Sequence, residues 1–396
     1  MNEQADLLCK TVDELELEIR NLSLALPNLL SDEYCKSGMD EADNTVVNSW
    51  GDVTSMPKIS KLQWPEGYVP LNHDDFLTSS PTLSPLYKPK HATKLSGSRF
   101  YMLSGELALL ERAISAFLID TAVSSGYDEV SVPYIVGGDI LEGTGQLPKF
   151  EEELFKIDSK SHKSNGFSSY LIPTAEVPLT SIHSGEIMEV GSLPVKYCAI
   201  TPCFRSEAGS GGKDSKGLIR THQFHKVEIM QITLPESSTD TWMRMTDDAE
   251  RPLKLLGLPF RRVELCAGDI GFGASCCHDV EVWLPGEGGY REISSCSNMG
   301  EFQSRRLGIR YKLKEEPVKK GEKRKKEKPL YPHTLNGSAL AVGRTIVAVI
   351  ENYQLPDGSV VVPEALRTYM GGREVIGGVK GGGGGMMGYS PNRGLV

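Results

Sequence analysis

The most constraining stretch of the chain is residues 198–232, CAITPCFRSEAGSGGKDSKGLIRTHQFHKVEIMQI. Two strand-like runs flank a long polar connection rich in glycine, so the segment reads as an antiparallel hairpin with an oversized loop. Arg205 and Glu207 leave the first run, and Glu228 interrupts the second between Val227 and Ile229. A carboxylate in an apolar strand is costly to bury unless a cation or a hydrogen-bond donor meets it. Two readings follow: a structural Arg–Glu pair, or a binding site. Lys213, Lys216 and Arg220 in the connection bring phosphate to mind as a ligand. His222 and His225 lie three apart on a strand, face opposite sides and make a poor metal pair, so they read as structural.

Around this hairpin the pattern is that of an α+β domain. Leu107, Leu110, Ile114 and Phe117 mark one face of a helix that Gly126 ends, and DEVSVPYIV follows as a strand whose proline points to an edge or a strand end. Further strands are expected at 169–173, 196–205, 224–234, 279–284 and 290–296, and Val342, Ile346, Val349 and Tyr353 mark a second helix. Few helices alternate with these strands, which favours a mainly antiparallel sheet flanked by helices.

Composition narrows the function classes. The net charge is −9 over 396 residues, which argues against nucleic-acid binding through overall charge. It is uneven: residues 1–50 hold 11 acidic and 3 basic side chains, while 312–328 hold 9 basic and 4 acidic. Glycine is high at 41, and 11 of these fall in the last 26 residues. The longest apolar run, Ile346 to Ile350, is far short of the ~20 residues of a membrane span, and the acidic start MNEQADLLCK lacks the features of a secretory signal. The eight cysteines form no CxxC, so a reduced compartment is expected. Cys276-Cys277-His278 is the one Cys/His cluster, read as half-buried thiols rather than zinc ligands. No P-loop, dinucleotide-binding turn, GxSxG or HExxH occurs.

The ends differ from the body. Leu8, Val12, Leu15, Ile19, Leu22 and Leu26 follow the a/d spacing of a coiled coil, and Pro27 stops it. The same spacing suits an amphipathic helix lying on its own domain. Residues 31–95 read as a linker with local structure, and 373–396 as a flexible glycine-rich tail.

FRSEAGSGGKDSKGLIRTHQFHKVE resembles the second signature motif of the class II aminoacyl-tRNA synthetases, in their seryl-tRNA synthetase form. The likeness continues through GTGQLPKFEEELF, IPTAEVPLT, ELCAGDIGFGASCCHDVEVWLPG, YREISSCSN and QSRRLGIRY. It ends with TLNGSALAVGRTIVAVIENYQ, similar to the third motif, and DGSVVVPEALRTYMGG. It covers roughly 97–372, and YREISSCSN is of the bacterial or organellar kind. The first motif is poorly matched at 74–92.

The resemblance implies an α+β class II catalytic domain over 96–372 and an ATP- and Mg²⁺-dependent serine–tRNA ligase. The nucleophile, the serine carboxylate, is already ionised, so such a site needs in-line positioning and positive charge more than a general base. By resemblance, Arg205 meets the α-phosphate and Arg344, one turn into a helix over 338–353, meets the γ-phosphate. Ser206 and Glu207 complete the triplet, with Glu207 near adenine. Val227, Glu292, Ile293, Ser294 and Ser295 complete the ATP set, and Glu292 and Ser295 are the implied Mg²⁺ ligands. Arg205, Glu292 and Arg344 are thus the implied catalytic residues. Thr174, Ala175, Glu176, Arg205, Glu228 and Ser338 are implied to hold serine, where oxygen acceptors suit its ammonium and hydroxyl groups. The implied partners are L-serine, serine tRNA (selenocysteine tRNA where it exists) and a second copy of the chain, with no membrane. The compartment is the cytoplasm, or a mitochondrion or plastid.

The family carries a long coiled-coil arm ahead of its catalytic domain, and 1–30 here corresponds to a remnant of it. Two other classes stay open: an arm-less relative with a binding or regulatory role, and a ligase that delivers an amino acid to a carrier protein. Erosion of the ATP residues would favour the first and a rebuilt amino-acid pocket the second; neither is seen in Arg205, Glu207, Glu228, Glu292 and Arg344.

Overall fold

The computed structural model describes residues 2–32, 34–57, 63–158, 166–209, 217–313 and 328–378. The centre of the hairpin loop, most of the basic stretch at 312–328 and the tail beyond 378 lie outside the described residues. The helices that matter here are α1 (Asn2–Leu24), α2 (His73–Ser79), α3 (Gly105–Ser124), α4 (Glu176–Ser181), α5 (Ser238–Leu256) and α6 (Val342–Tyr353). The large sheet comprises β1 (Thr45–Trp50), β2 (Asp128–Glu129), β3 (Val195–Phe204), β4 (Gln223–Thr233), β5 (Phe260–Glu264), β6 (Cys276–Leu284), β7 (Gly289–Asn298) and β8 (His333–Ala341). Its order is β1-β5-β6-β7-β8-β4-β3-β2, antiparallel throughout except for the short β2, which runs parallel to β3 at the edge.

Period-two alternation divides the sheet into two faces. On β4, Val227 and Ile229 join the main core with Leu107, Leu110, Ile114 and Phe117 of α3 and with Ile346, Val349 and Tyr353 of α6. Burying side chains of this kind contributes about 1.5–3 kcal/mol each, so this layer is the main stabilising element. Lys226 and Glu228 alternate with them and face the opposite side, where the cleft lies.

The structure alters several expectations. The run DEVSVPYIV is not one strand. Pro133 has no N–H for a ladder, and the run divides into β2 and a strand at Ile135–Gly137 that belongs to a separate three-stranded sheet. The segment 31–95 is more than a linker, because β1 pairs with β5 and extends the sheet. Residues 338–341 are strand, and the helix expected over 338–353 begins only at Val342. Helix α5 was not anticipated; it buries Trp242, Met245, Ala249, Leu253 and Leu256 under β7 and β8.

The N-terminal seam does not lie on the body. Leu8, Leu15 and Ile19 are 65%, 52% and 63% exposed. Among the described residues, helix α1 is tied to the body near its end, by Arg20 to Glu142 at 2.6 Å and by Arg306 donating to the Leu24 carbonyl at 3.2 Å. Cys276, Cys277 and His278 are buried rather than half-buried. Alternation turns the Cys277 thiol toward Ser295 on the cleft side, while the His278 ring goes the other way and stacks on Trp242 at 4.0 Å.

Candidate active site

One face of β4, β7 and β8 forms the floor of a cleft of about 590 Å³. Its deepest part is built on a carboxylate in a strand. Glu228 is buried, Lys226 pairs with it from two residues earlier on the same face, and the Thr174 hydroxyl donates to its Oε2 at 2.9 Å. Ser338 stands opposite Glu228 in the β8 register. Thr174 also receives the Glu176 amide at 3.2 Å, which seats the first residue of α4 beside the floor. The Glu176 carboxylate accepts from Gln303 at 2.7 Å and from Asn336 at 3.1 Å. Burial, and then the charge of Glu228, push Glu176 up to about 7. Ala175 is buried behind these groups and does not line the cleft.

Arg205 follows the last residue of β3. Its Nε donates to the Pro173 carbonyl at 3.3 Å, and its guanidinium lies over the Phe224 ring at 5.3 Å. Among the described residues it makes no ion pair, although the other cleft cations do. Arg220 pairs with Glu207 at 3.3 Å, Lys226 with Glu228, and Arg344 with Glu292 at 3.4 Å. Glu207 has φ +52, a left-handed conformation that turns the chain out of β3. Ser206 points away from the cleft, bonding the carbonyl of Glu152 through its hydroxyl and that of Glu153 through its amide.

A β-bulge places Glu292. Val280 and Glu281 are consecutive on β6, but their partners on β7 are Ser294 and Glu292, so Ile293 is the extra residue. In a regular strand Glu292 would share the buried face of Ser294 and Cys296; the bulge returns it to the cleft side with Ser295 and Ser297. Ser294 is buried and donates to the Ser338 carbonyl at 2.6 Å, and Val227 faces the core, so neither side chain reaches the cleft. Arg344 is the third residue of α6. It donates to the Glu292 carbonyl at 2.5 Å and to the Ile219 carbonyl at 3.4 Å.

Asp279 and Lys226 are additions that reading the strands singly did not identify. Asp279 stands opposite Ser295, and burial together with the charge of Glu292 raises it to about 7. Both could have been found by counting in twos, Lys226 from Glu228 and Asp279 along DVEVW. Glu292, Ser295 and Asp279 are hard oxygen donors on one sheet face, a set that fits Mg²⁺, which takes one or two carboxylates and leaves room for phosphate oxygens. A second cavity of about 410 Å³ opens beside the first and shares Thr174, Glu176, Arg205 and Asn336 with it; Phe150, Phe272 and Met299 line its far wall.

Residues 155–353 match the family described as "tRNA synthetase class II core domain (G, H, P, S and T)". The serine–tRNA ligase of Anaeromyxobacter sp. (strain K) is 48% identical over 363 residues, 92% of this chain and 76% of that protein. The serine–tRNA ligase of Maridesulfovibrio salexigens is 47% identical over 370 residues, 93% of this chain and 80% of that one. Among solved structures, the seryl-tRNA synthetase of Pyrococcus horikoshii complexed with ATP superposes with a TM-score of 0.79 at 36% identity, covering 93% of this chain and 80% of that one. A prolyl-tRNA synthetase of Giardia lamblia shares the fold alone, with a TM-score of 0.61 at 16% identity. With this level of identity over nearly its whole length, the chain belongs to the serine–tRNA ligase family of class II aminoacyl-tRNA synthetases.

Proposed function

We propose that this chain ligates serine to tRNA in two steps within the cleft. The serine carboxylate attacks the α-phosphorus of ATP, forming seryl-adenylate as the bond to pyrophosphate breaks. A terminal ribose hydroxyl of the tRNA then attacks the seryl carbonyl and releases AMP. The observation that carries this reading is the ordering of charge. The floor offers Glu176, Glu228 and Thr174 to an ammonium and a hydroxyl, and the wall offers Arg205 with no carboxylate partner among the described residues. A ligand with a cationic end and a phosphate end matches both.

In this reading Arg205 binds the α-phosphate and Arg344 the γ-phosphate, each through the fork of donors that phosphate oxygens accept. Arg205, Ser206, Glu207, Val227, Glu292, Ile293, Ser294, Ser295 and Arg344 form the ATP set, with Val227, Ser294 and Ser206 supporting it from behind rather than facing the nucleotide. Thr174, Ala175, Glu176, Arg205, Glu228 and Ser338 form the serine set, in which Ala175 shapes the wall. Mg²⁺ held by Glu292 and Ser295, with Asp279 close by, would neutralise charge on the phosphates. The second cavity, with its aromatic wall, is where the 3′ end of the tRNA approaches the adenylate.

We place the catalytic domain at 96–372, joined by β1 from the preceding segment, and assign 1–30 to a tRNA-binding arm. The assembly is a homodimer and the compartment the cytoplasm; among the described residues no helix is long and apolar enough to cross a membrane. The test is serine-dependent ATP–pyrophosphate exchange followed by charging of serine tRNA. Exchange that occurs with serine, and fails with alanine and threonine, is the expected result. No exchange with serine would refute the reading.

A further inference from the structure

Outside the cleft, one cluster of titratable groups packs unusually tightly. His73, Glu287 and Glu351 bring their ligating atoms within 4.8 Å of one another, with His73 and Glu351 buried. These atoms already have partners. The Leu218 amide donates to His73 Nε2 at 3.2 Å, so the ring proton sits on Nδ1, which donates to Glu351 Oε1 at 3.2 Å. The His73 amide reaches the same oxygen at 3.0 Å, and the Gly286 amide donates to Oε2 at 2.9 Å. Glu287 receives Arg291 at 2.5 Å. The cluster is therefore a hydrogen-bonded relay. It runs from Glu351 on α6, through the first residue of α2, to the backbone of Leu218.

The end point of that relay is informative. Leu218, Ile219 and Arg220 are the residues by which the hairpin connection returns to β4, and all three line the cleft. Each is held by a different group: the Leu218 amide by His73, the Ile219 carbonyl by Arg344, and the Arg220 side chain by Glu207. Arg344 and Glu351 stand seven residues apart on α6, two turns along one face. The helix thus fastens the same three-residue segment twice, once directly and once through His73.

The backbone packs closely along this relay. A Cβ on Gly217, whose φ is +75, would lie 2.1 Å from His73 Nε2, and a Cβ on Gly343 would lie 3.3 Å from the Leu218 carbonyl. At Gly286 a Cβ would meet the Leu71 carbonyl at 2.2 Å. The approaches at Gly217 and Gly286 require glycine, whereas a Cβ at Gly343 would only press on the Leu218 carbonyl.

We propose that His73 is a positioning residue for the nucleotide. Locked by Glu351, its Nε2 holds the Leu218 amide, which sets the Ile219 carbonyl and hence the Arg344 guanidinium that binds the terminal phosphate. This rests on the ATP-site reading above. The chemistry explains why imidazole stands here, since one small ring supplies a donor to a carboxylate and an acceptor to a backbone amide in opposite directions.

Two variants separate the halves of the relay. In His73→Asn the side-chain amide keeps a donor near Nδ1 for Glu351 and loses the reach to Leu218. In His73→Gln the side-chain oxygen falls near Nε2 and keeps the Leu218 contact, while the backbone amide still serves Glu351. Leaving one buried amide unpaired at the segment should raise the KM for ATP in pyrophosphate exchange about tenfold in His73→Asn, with the KM for serine within about twofold of wild type. His73→Gln should restore the ATP value to within about threefold. Gly217→Ala, which leaves His73 and Glu351 in place but pushes the ring off the amide, should reproduce the ATP-selective rise.

An unchanged KM for ATP in His73→Asn or in Gly217→Ala would overturn the proposal. So would His73→Gln failing as badly as His73→Asn, or equal shifts for ATP and serine, which would mark a merely structural role. Arg205→Ala is the control. Wild-type exchange that vanishes in Arg205→Ala, beside a normal His73→Asn, would sink the positioning role and leave the site reading intact. Absence of exchange in wild type would overturn both.

Discussion

Replacing Glu176 by glutamine should make the chain more stable at alkaline pH and worse at binding serine. Glu176 is at the edge of the cleft floor with Glu228 beside it, and the two effects together raise it from 4.5 to about 7. Between those values the folded chain holds a proton here that the unfolded chain has released. This contribution to stability is therefore complete below 4.5 and is lost as pH rises through 7. At 1.36 kcal/mol per pH unit the shift corresponds to about 3 kcal/mol, and water in the cleft brings it nearer to 2. Glutamine keeps an oxygen for Gln303 and Asn336 but carries no proton to lose. Urea unfolding of both proteins at pH 5, 7 and 8.5 should show near-equal stability at the first pH and the variant ahead by about 2 kcal/mol at the last. Working from the difference cancels Asp279, which slopes the same way, and His278, which slopes the other. The ionised carboxylate is the form that pairs with an ammonium, so wild-type serine affinity should climb as pH passes 7. In the variant it should be about tenfold weaker and flat with respect to this group. Parallel stability curves for the two proteins would refute the account of the floor.

Arg205→Ala should reduce serine-dependent exchange by at least about a hundredfold, because the other cleft cations among the described residues are each paired with a carboxylate; near-normal exchange would exclude it from phosphate binding. Thr174→Val removes the hydroxyl that donates to Glu228 at 2.9 Å and should raise the KM for serine about tenfold with little change for ATP, read from exchange kinetics. Acid should weaken the fold through His278. Burial and the charge of Arg262 lower it from 6.5 to about 4, so the unfolded chain takes up the proton first. Stability present above 6.5 is lost as pH falls toward 4, by up to about 3 kcal/mol, and His278→Gln should flatten that limb of the urea-midpoint profile.

How far the sequence reveals this site depends on whether a feature is local. The alternation of Val227, Glu228 and Ile229 identifies a strand with a charged face, and β4 carries it as read. Glu292 and Ser295 are another matter. Counting in twos along YREISSCSN puts them on opposite faces, and they share the cleft only because Ile293 is an unpaired bulge residue. No glycine or proline at 291–296 announces it, since the extra residue is defined by the pairing with β6. Ser338 misreads as helical because TLNGSALAV is small and apolar and runs into a true helix; its strand pairing with Glu228 comes from a partner 110 positions earlier. β1 has all six residues exposed, leaving no hydrophobic alternation to find. The α5 stripe of Trp242, Met245, Ala249, Leu253 and Leu256 does carry helical spacing, but Pro252 and the polar run TDDAER obscure it. His73 is least legible of all. Its partners lie 145 and 278 residues away, and its own surroundings, NHDDFL, describe only a helix start.

The pairing of charges matters in a cleft whose lining holds five carboxylates and four cations. Arg220, Lys226 and Arg344 each have a carboxylate neighbour, so their charges are largely spent within the protein. An anion gains little by approaching a cation that is already compensated, and must compete with the resident carboxylate. Arg205 differs because its contacts, a carbonyl oxygen and an aromatic face, orient the guanidinium without neutralising it. Its full charge therefore stays available to an anion that enters the cleft. Arg344 is compensated by Glu292, the residue that also suits Mg²⁺. Glu292 would hold Mg²⁺ in the proposed site, and a Glu292 carboxylate engaged in that way would leave the Arg344 charge less compensated.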